Sequence, residues 1–198
     1  MDINAQGENV NNAFSVIKKT YESVKKMLSC IDNLADDFQF MTISPKFLRY
    51  KSDLDPAGYY ITSFIKLYQS KLLPNHSSLE TIKNGPVFVV EVVFAECNTP
   101  KVFISKFKFD NINSWDYVPG VSNYDLFYYP VRNKNECKEI VINESFKRKV
   151  FSDEKFIENY WGLREVIYTD LDLLEIDTEE AIKEKILARF SELDKYDS

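Results

Sequence analysis

Apolar side chains recur at alternating spacings of three and four residues along the first forty positions. The stripe consists of Phe14, Ile17, Tyr21, Val24, Leu28, Ile31, Ala35 and Phe38, with Val10 continuing it upstream. This spacing places all of these side chains on one face of an α-helix. We therefore predict a long N-terminal helix over about residues 9–38, with Asn9 or Asn11 as its N-cap.

The width of this apolar face bears on what covers it. The residues that precede stripe positions are mainly apolar: Ala13, Thr20, Met27 and Leu34. The residues on the other flank are charged: Lys18, Lys25 and Asp32. A face about three positions wide per heptad is typical of a helix that packs on its own domain, whereas a two-position seam is typical of a coiled coil. We predict packing within the domain, and a homodimer through this helix, or insertion into a partner's groove, as the alternatives.

Between residues 39 and 176 the pattern changes to short β-rich runs. Residues 87–95 are almost entirely apolar, which is typical of a central strand covered on both faces, and residues 102–109 follow as its hairpin partner. Further strands are predicted over 38–42, 46–50, 126–131, 139–142, 146–151 and 165–176. Residues 59–70 fit either a strand or a helix, and residues 51–58 have the composition of a turn.

A last helix is predicted over about residues 178–193, with Asp177 or Thr178 as its cap and acidic residues in its first turn. Helices at both ends of a strand-rich middle predict an α+β fold. We expect a single domain over residues 1–198, in which a mainly antiparallel sheet is packed by the long N-terminal helix and the C-terminal helix.

Composition narrows the chemistry that this chain of 198 residues can perform. It contains only five Gly, and no two of them are spaced to form a phosphate-binding loop. His76 is the only histidine, so a site with two or three histidines cannot form within one chain. The three Cys are far apart and suggest neither a disulfide framework nor a zinc ribbon. We expect no cofactor and no metal.

The location and the class of partner are also constrained by what the pattern lacks. The N-terminus is polar, and no apolar run approaches the roughly 18 residues of a membrane span. We therefore expect a cytoplasmic protein with no membrane partner. The formal net charge is −6, but residues 59–150 carry +3 and residues 151–198 carry −8. A net charge of only +3 in the middle region argues against nucleic-acid binding, which needs a denser basic surface.

Aromatic side chains are concentrated in the segment 110–131. Trp and Tyr in loops offer a large contact area at low entropic cost, and they are frequent in recognition surfaces. Their other ordinary use is to cap the end of a hydrophobic core. We predict a binding surface made of Trp115, Tyr117, Tyr124, Tyr128 and Trp161.

Glu91 interrupts the apolar run over 87–95. A carboxylate in such surroundings is costly unless it is paired. If the next strand forms a hairpin with this one, Lys106 or Lys108 comes close enough for a cross-strand ion pair. A buried acid with a raised pKa that acts as a general base is the functional alternative.

A second candidate site depends on the order of three residues along the chain. Arg49 ends a strand-like run, Thr62 and Ser63 follow in a second, and Glu165 opens a late one. This order resembles the Arg, Ser-Thr-Ser and Glu order of NAD-using ADP-ribosyltransferases. The resemblance implies that Arg49 holds the dinucleotide phosphates, Ser63 supports the site and Glu165 stabilises an oxocarbenium-like charge.

A third candidate site is the sequence Glu136-Cys-Lys138. With Asp116 or Asp125 upstream, it is similar to the acidic and Glu-x-Lys motif of magnesium-dependent nucleases. A solvated turn explains the same residues. The favoured interpretation is a non-catalytic protein that recognises a protein or small ligand through its aromatic segment. An ADP-ribosyltransferase-like enzyme is the alternative, and a metal-dependent nuclease is the third hypothesis.

Overall fold

The computed structural model describes residues 3–44, 46–50, 61–95 and 97–196. Their strands form one antiparallel sheet in the order β1-β2-β3-β4-β7-β6-β5. The strands are β1 (Phe40–Thr42), β2 (Ser63–Ser70), β3 (Val87–Val93), β4 (Lys101–Phe109), β5 (Cys137–Val141), β6 (Lys147–Phe151) and β7 (Leu163–Asp172). The predicted α+β fold with an antiparallel sheet is confirmed.

The predicted hairpin and the central strand are present, and the ambiguous segment is β2. The predicted strand at 46–50 is reduced to one bridge between Leu48 and Ile65. The turn predicted at 51–58 lies outside the described residues. The strand predicted over 126–131 is wrong, because this segment is a helix, α2 (Tyr124–Arg132), whose buried side chains follow helical spacing.

The predicted helices at both ends of the chain are confirmed. The first is α1 (Ile3–Leu34), which begins six residues earlier than predicted and continues into a 3₁₀ turn at Ala35–Phe38. A short helix, α3 (Glu154–Asn159), precedes β7. The C-terminal helix consists of α4 (Glu179–Ile182), a π-helical turn (Lys183–Leu187) and α5 (Ala188–Asp194). Its N-cap is Thr178, whose hydroxyl accepts from the backbone N–H of Ala181.

Helices cover both faces of the sheet. On the first face, α1 and the C-terminal helix pack on residues that include Phe64, Phe88, Ile104 and Ile167. Phe190 lies at the centre of this layer and contacts Phe40, Tyr68 and Phe88. On the second face, α2, α3 and the segment 110–121 cover the alternate residues of the same strands.

The N-terminal part of α1 extends beyond this core. Residues 6–16 are exposed, and Val24, Leu28 and Ile31 are the stripe residues of α1 that are fully buried. Further along the helix, the Tyr21 hydroxyl donates to the carbonyl of Ile61, just before β2. Among the described residues, no helix combines the length and apolarity that a membrane crossing requires.

Candidate binding pocket

Three of the five predicted aromatic residues meet in one pocket. Trp115 and Tyr117 come from the segment after β4, and Trp161 comes from the turn between α3 and β7. The pocket has a volume of about 420 Å³, within the range of small-ligand sites. It is lined by Asp110, Asn111, Ser114, Trp115, Asp116, Tyr117, Glu158, Trp161 and Gly162.

The ring of Trp161 stands nearly at right angles to the rings of Trp115 and Tyr117. The ring centroids of Trp115 and Trp161 are 5.1 Å apart at an interplanar angle of 77°. Tyr117 and Trp161 are 5.2 Å apart at 84°. Trp115 is buried and contacts Phe109, so it is anchored in the core, whereas Tyr117 is 55% exposed. The pocket therefore has a fixed inner wall and an outer wall open to solvent.

Trp161 adopts a backbone conformation that bulky residues rarely occupy. Its φ angle is +57°, and the φ angle of the following Gly162 is +85°. The turn is held by hydrogen bonds from Gly162 N–H to the Ile157 carbonyl and from Asp110 N–H to the Gly162 carbonyl. A non-glycine residue in the left-handed region costs of order 1–3 kcal/mol and persists only where its surroundings enforce it. The turn holds the indole at the pocket despite this strain.

The charged residues that line the pocket are all acidic: Asp110, Asp116 and Glu158. All three are exposed. Asp110 accepts from Arg164 Nε at 2.7 Å, and Arg164 also donates to Glu154 at 2.9 Å. These hydrogen bonds, to Glu154 and then to Asp110, raise the pKa of Arg164 above its ordinary value. Asp116 and Glu158 remain to give the pocket a negative potential.

The indole Nε1 of Trp115 is buried and has no hydrogen-bond partner among the described residues. Buried N–H groups are paired in the great majority of cases. Because this atom is closed to solvent, it adds no polar contact to the open pocket.

Tyr124 and Tyr128 lie elsewhere, on α2. Their rings stack at 4.8 Å beside Arg132, whose guanidinium lies 3.9 Å from the Tyr128 ring centroid. Tyr124 is buried. Its pKa is raised above the ordinary value, first by burial, with the nearby Glu91 carboxylate adding to the shift. The predicted five-residue surface is therefore two separate groups, because the helical turn of α2 directs Tyr124 into the core.

Glu91 is paired, but with neither of the predicted lysines. Ser63 Oγ donates to Glu91 Oε1 at 2.5 Å, and Arg132 Nη1 donates to Oε2 at 2.8 Å. The register places Phe103 opposite Glu91, while Lys106 lies opposite Phe88 and therefore on the other face of the sheet. Burial lowers the pKa of Arg132, but Glu91 more than offsets this effect and leaves it raised. Glu91 is a buried ion-pair partner.

Arg49, Ser63 and Glu165 do not line a common cleft. Arg49 lies close to Ser63, since Leu48 pairs with Ile65. The strand register places Ser63 level with Asp172 of β7. Glu165 lies seven residues from Asp172 in the same strand, so Ser63 and Glu165 are separated by about 23 Å along the strand direction. Glu165 also faces the opposite side of the sheet, where its carboxylate lies 3.4 Å from Arg148. The three residues that resemble an ADP-ribosyltransferase site are thus separated.

The residues of the nuclease hypothesis lie in a loop and an edge strand. The carboxylate of Glu136 accepts a hydrogen bond from the side chain of Asn133. Lys138 lies in β5, where it pairs with Val150 of β6. Within the ranges that the structure describes, no group of three or more His, Cys, Asp and Glu residues is arranged to hold a metal ion.

Sequence reasoning did not identify Asp110 and Glu158 as pocket residues. Asp110 directly follows β4, and Glu158 lies in α3, 48 positions later. The pairing of β4 with β7, in which Phe109 lies opposite Leu163, brings them together. The proximity of Glu158 to Trp161 along the chain is the one local signal, since both belong to the same turn.

The comparisons add no family to this description. The chain matches no protein-family model, and neither the curated proteins nor the solved structures include one with significant similarity to it. The functional argument therefore depends on the geometry of the pocket.

Proposed function

We propose that this is a non-catalytic recognition protein that binds an organic cation in the pocket of Trp115, Tyr117 and Trp161. The observation that carries the proposal is the ring of Trp161 at near right angles to Trp115 and to Tyr117, with carboxylates as the only charged lining residues among the described ones. Rings in this arrangement are suited to alkylated ammonium groups, whose positive charge is attracted to the faces of Trp and Tyr.

The aromatic rings and the carboxylates of the pocket both attract the positive charge of the ligand. A cation over an aromatic face gains about 0.5–1 kcal/mol at an exposed site and about 2 kcal/mol or more when it is desolvated. Asp116 and Glu158 add a long-range attraction that raises the local concentration of cations. An anionic ligand would meet repulsion from both carboxylates, which favours a cation over the other ligand classes.

The cation has two plausible sources, a free small molecule or a side chain of a partner protein. Calorimetric titrations with tetramethylammonium and with a short peptide carrying trimethyllysine distinguish them. We expect both to bind, with tighter binding of the peptide if the partner is a protein. Equal affinities would identify a small molecule as the ligand.

Trp161→Asn is the sharpest test variant, because Asn tolerates the left-handed backbone but lacks the ring. We expect it to lower the affinity for either probe roughly tenfold, the loss of about 1.4 kcal/mol of cation–π energy. Tyr129→Ala is the matched control, since Tyr129 is half exposed and lies outside the pocket. The proposal is overturned if neither probe binds, or if Trp161→Asn binds as tightly as the unaltered chain.

We also propose that two copies associate through α1. The support is the exposure of Val10 and Phe14, which are 55% and 62% exposed although they continue the stripe that packs on the core. Light scattering on the full chain is expected to give a dimer mass, and Phe14→Glu is expected to give a monomer. A monomer mass for the unaltered chain would contradict this proposal.

A further inference from the structure

A second cavity lies where α1, the segment 46–50 and β2 meet, and basic side chains dominate its lining. Its volume is about 440 Å³. The lining is Lys25, Leu28, Ser29, Asp32, Lys46, Phe47, Arg49, Lys66 and Val121. Within the described chain, its charged residues are four cations and one carboxylate, whereas the charged lining of the aromatic pocket is acidic. The two cavities share no lining residue, so this one is a separate candidate site.

The carboxylate of this cavity, Asp32, is engaged through both of its oxygens. Its Oδ2 accepts from Lys66 Nζ at 2.8 Å, and its Oδ1 accepts from the Tyr68 hydroxyl at 2.8 Å. Lys66 is only 4% exposed and also donates to the Ser44 carbonyl at 3.1 Å. An ammonium has three N–H donors, so Lys66 keeps one for which the described residues supply no acceptor. One cation cancels the one carboxylate, and the cavity keeps an excess of three positive charges.

The three remaining cations are gathered by the fold. Lys25 lies on α1. Lys46 and Arg49 flank Leu48 along the chain. Two backbone hydrogen bonds, at 2.7 Å and 3.0 Å, join Leu48 to Ile65 of β2. The cations therefore come from separate elements that the tertiary structure holds at one cavity.

No carboxylate of the described chain neutralises these three cations. Lys25, Lys46 and Arg49 form no ion pair with any described residue. Like charges that share a cavity repel one another, and a cleft lined by one sign of charge concentrates ions of the opposite sign. The fork of a guanidinium matches two phosphate oxygens, and ammonium groups add compact positive charge. The lining therefore suits a phosphate group better than a cation or a neutral ligand.

We propose that this cavity binds a phosphate monoester of a small organic molecule. The phosphate oxygens accept from Arg49 and the lysines, and the organic part packs against the apolar lining of Leu28, Phe47 and Val121. Such a combination of apolar wall and a few polar groups is typical of small-molecule sites, and the volume is within their range. A nucleic acid would need a longer basic stripe than one cavity provides.

Calorimetric titration of the full chain tests this site with phenyl phosphate, inorganic phosphate and benzyl alcohol. We expect phenyl phosphate to bind most tightly, because it carries both the charge and an apolar ring. Inorganic phosphate should bind about tenfold more weakly, since it buries no apolar surface. Benzyl alcohol, which keeps the ring without the charge, should not bind. Equal affinities for phenyl phosphate and inorganic phosphate would indicate an adventitious ion only and overturn the proposal.

Two neighbouring lysines locate the binding. Lys25→Gln removes a cation of the cavity, whereas Lys26→Gln is the matched control, because Lys26 is exposed and outside the lining. Both variants change the net charge equally. We expect Lys25→Gln to lower the affinity for phenyl phosphate about tenfold, the loss of one charged hydrogen bond, and Lys26→Gln less than about twofold.

The proposal is overturned if phenyl phosphate does not bind to the unaltered chain, or if the two variants lose affinity equally. Binding of tetramethylammonium should be the same in both variants, because the aromatic pocket contains neither lysine. The two proposed sites therefore stand or fall independently of each other.

Discussion

Glu91 and the pair Asp116 and Glu158 lie in the same layer of the molecule, but their surroundings differ. Glu91 is buried in the sheet and accepts hydrogen bonds from Ser63 and Arg132. Asp116 and Glu158 are exposed beside the rings of the binding pocket. A buried carboxylate that is fully paired is committed to the fold, whereas an exposed one beside aromatic faces can act on a ligand. The carboxylate that interrupts the apolar run is therefore structural, and the less conspicuous ones are functional candidates.

The largest effect is expected where the buried carboxylate loses its cation. Arg132→Ala removes the guanidinium that donates to Glu91 Oε2, so the free energy of unfolding should fall by about 3–5 kcal/mol in urea denaturation. Arg164→Ala removes a more exposed pair, so the free energy of unfolding should fall far less. Equal losses in the two variants would show that burial does not separate these carboxylates.

Replacing the pair together sharpens the same contrast. Glu91→Leu combined with Arg132→Met removes both charges and keeps apolar volume. We expect the double variant to be more stable than Arg132→Ala, because the buried carboxylate is removed together with its cation. A double variant as unstable as Arg132→Ala would assign the loss to packing rather than to the charge of Glu91.

Alkaline pH is expected to destabilise the buried part of the molecule. Burial raises the pKa of Tyr68, Tyr124 and Tyr168, and neighbouring carboxylates add to the shift. The unfolded chain releases these protons near pH 10, whereas the folded chain retains them, so stability is lost as pH rises above about 10. Burial lowers the pKa of Lys149, and this shift makes stability rise with pH. One lysine opposes the three tyrosines, so a net loss of stability is expected.

The measurement is the free energy of unfolding between pH 8 and pH 11. Each retained proton contributes a slope of up to about 1.4 kcal/mol per pH unit. Tyr168→Phe should flatten the slope, because it removes the hydroxyl that donates to Glu139 at 2.8 Å. An unchanged slope in Tyr168→Phe would refute the assignment.

The smallest effect is expected at the pocket carboxylates. Asp116→Asn combined with Glu158→Gln should lower the affinity for tetramethylammonium a few-fold and weaken its dependence on salt, because exposed charges act through screened interactions. Stability should change by less than about 0.5 kcal/mol. An unaltered salt dependence would mean that the carboxylates do not act on the ligand.

The pattern of the chain predicts the layers better than it predicts the contacts between them. Alternation and helical spacing predict α1, the hairpin of β3 and β4, and the C-terminal helix. Each of these elements is determined by a pattern within its own segment of the chain. The pattern predicts a strand over residues 126–131, but tertiary burial selects the helix α2 there. The partner of Glu91 is 41 positions away, so no local signal identifies Arg132.

The same distinction applies to the candidate site. The rings of Trp115, Tyr117 and Trp161 are conspicuous in the sequence, and they do meet in one pocket. Tyr124 and Tyr128 are equally conspicuous but lie apart, because α2 directs them elsewhere. Asp110 and Glu158 reach the pocket because β4 pairs with β7, and no spacing along the chain encodes this pairing.

The most direct test of the cation site uses the two tryptophans, since both of the chain's Trp residues line the pocket. The ¹H–¹⁵N spectrum of the labelled protein should contain two indole N–H signals, one from Trp115 and one from Trp161. Titration with tetramethylammonium should shift both signals to saturation, whereas neopentyl alcohol, a neutral molecule of similar shape, should shift them much less. Indole signals that do not move, or that move equally with both compounds, would contradict a cation-binding pocket.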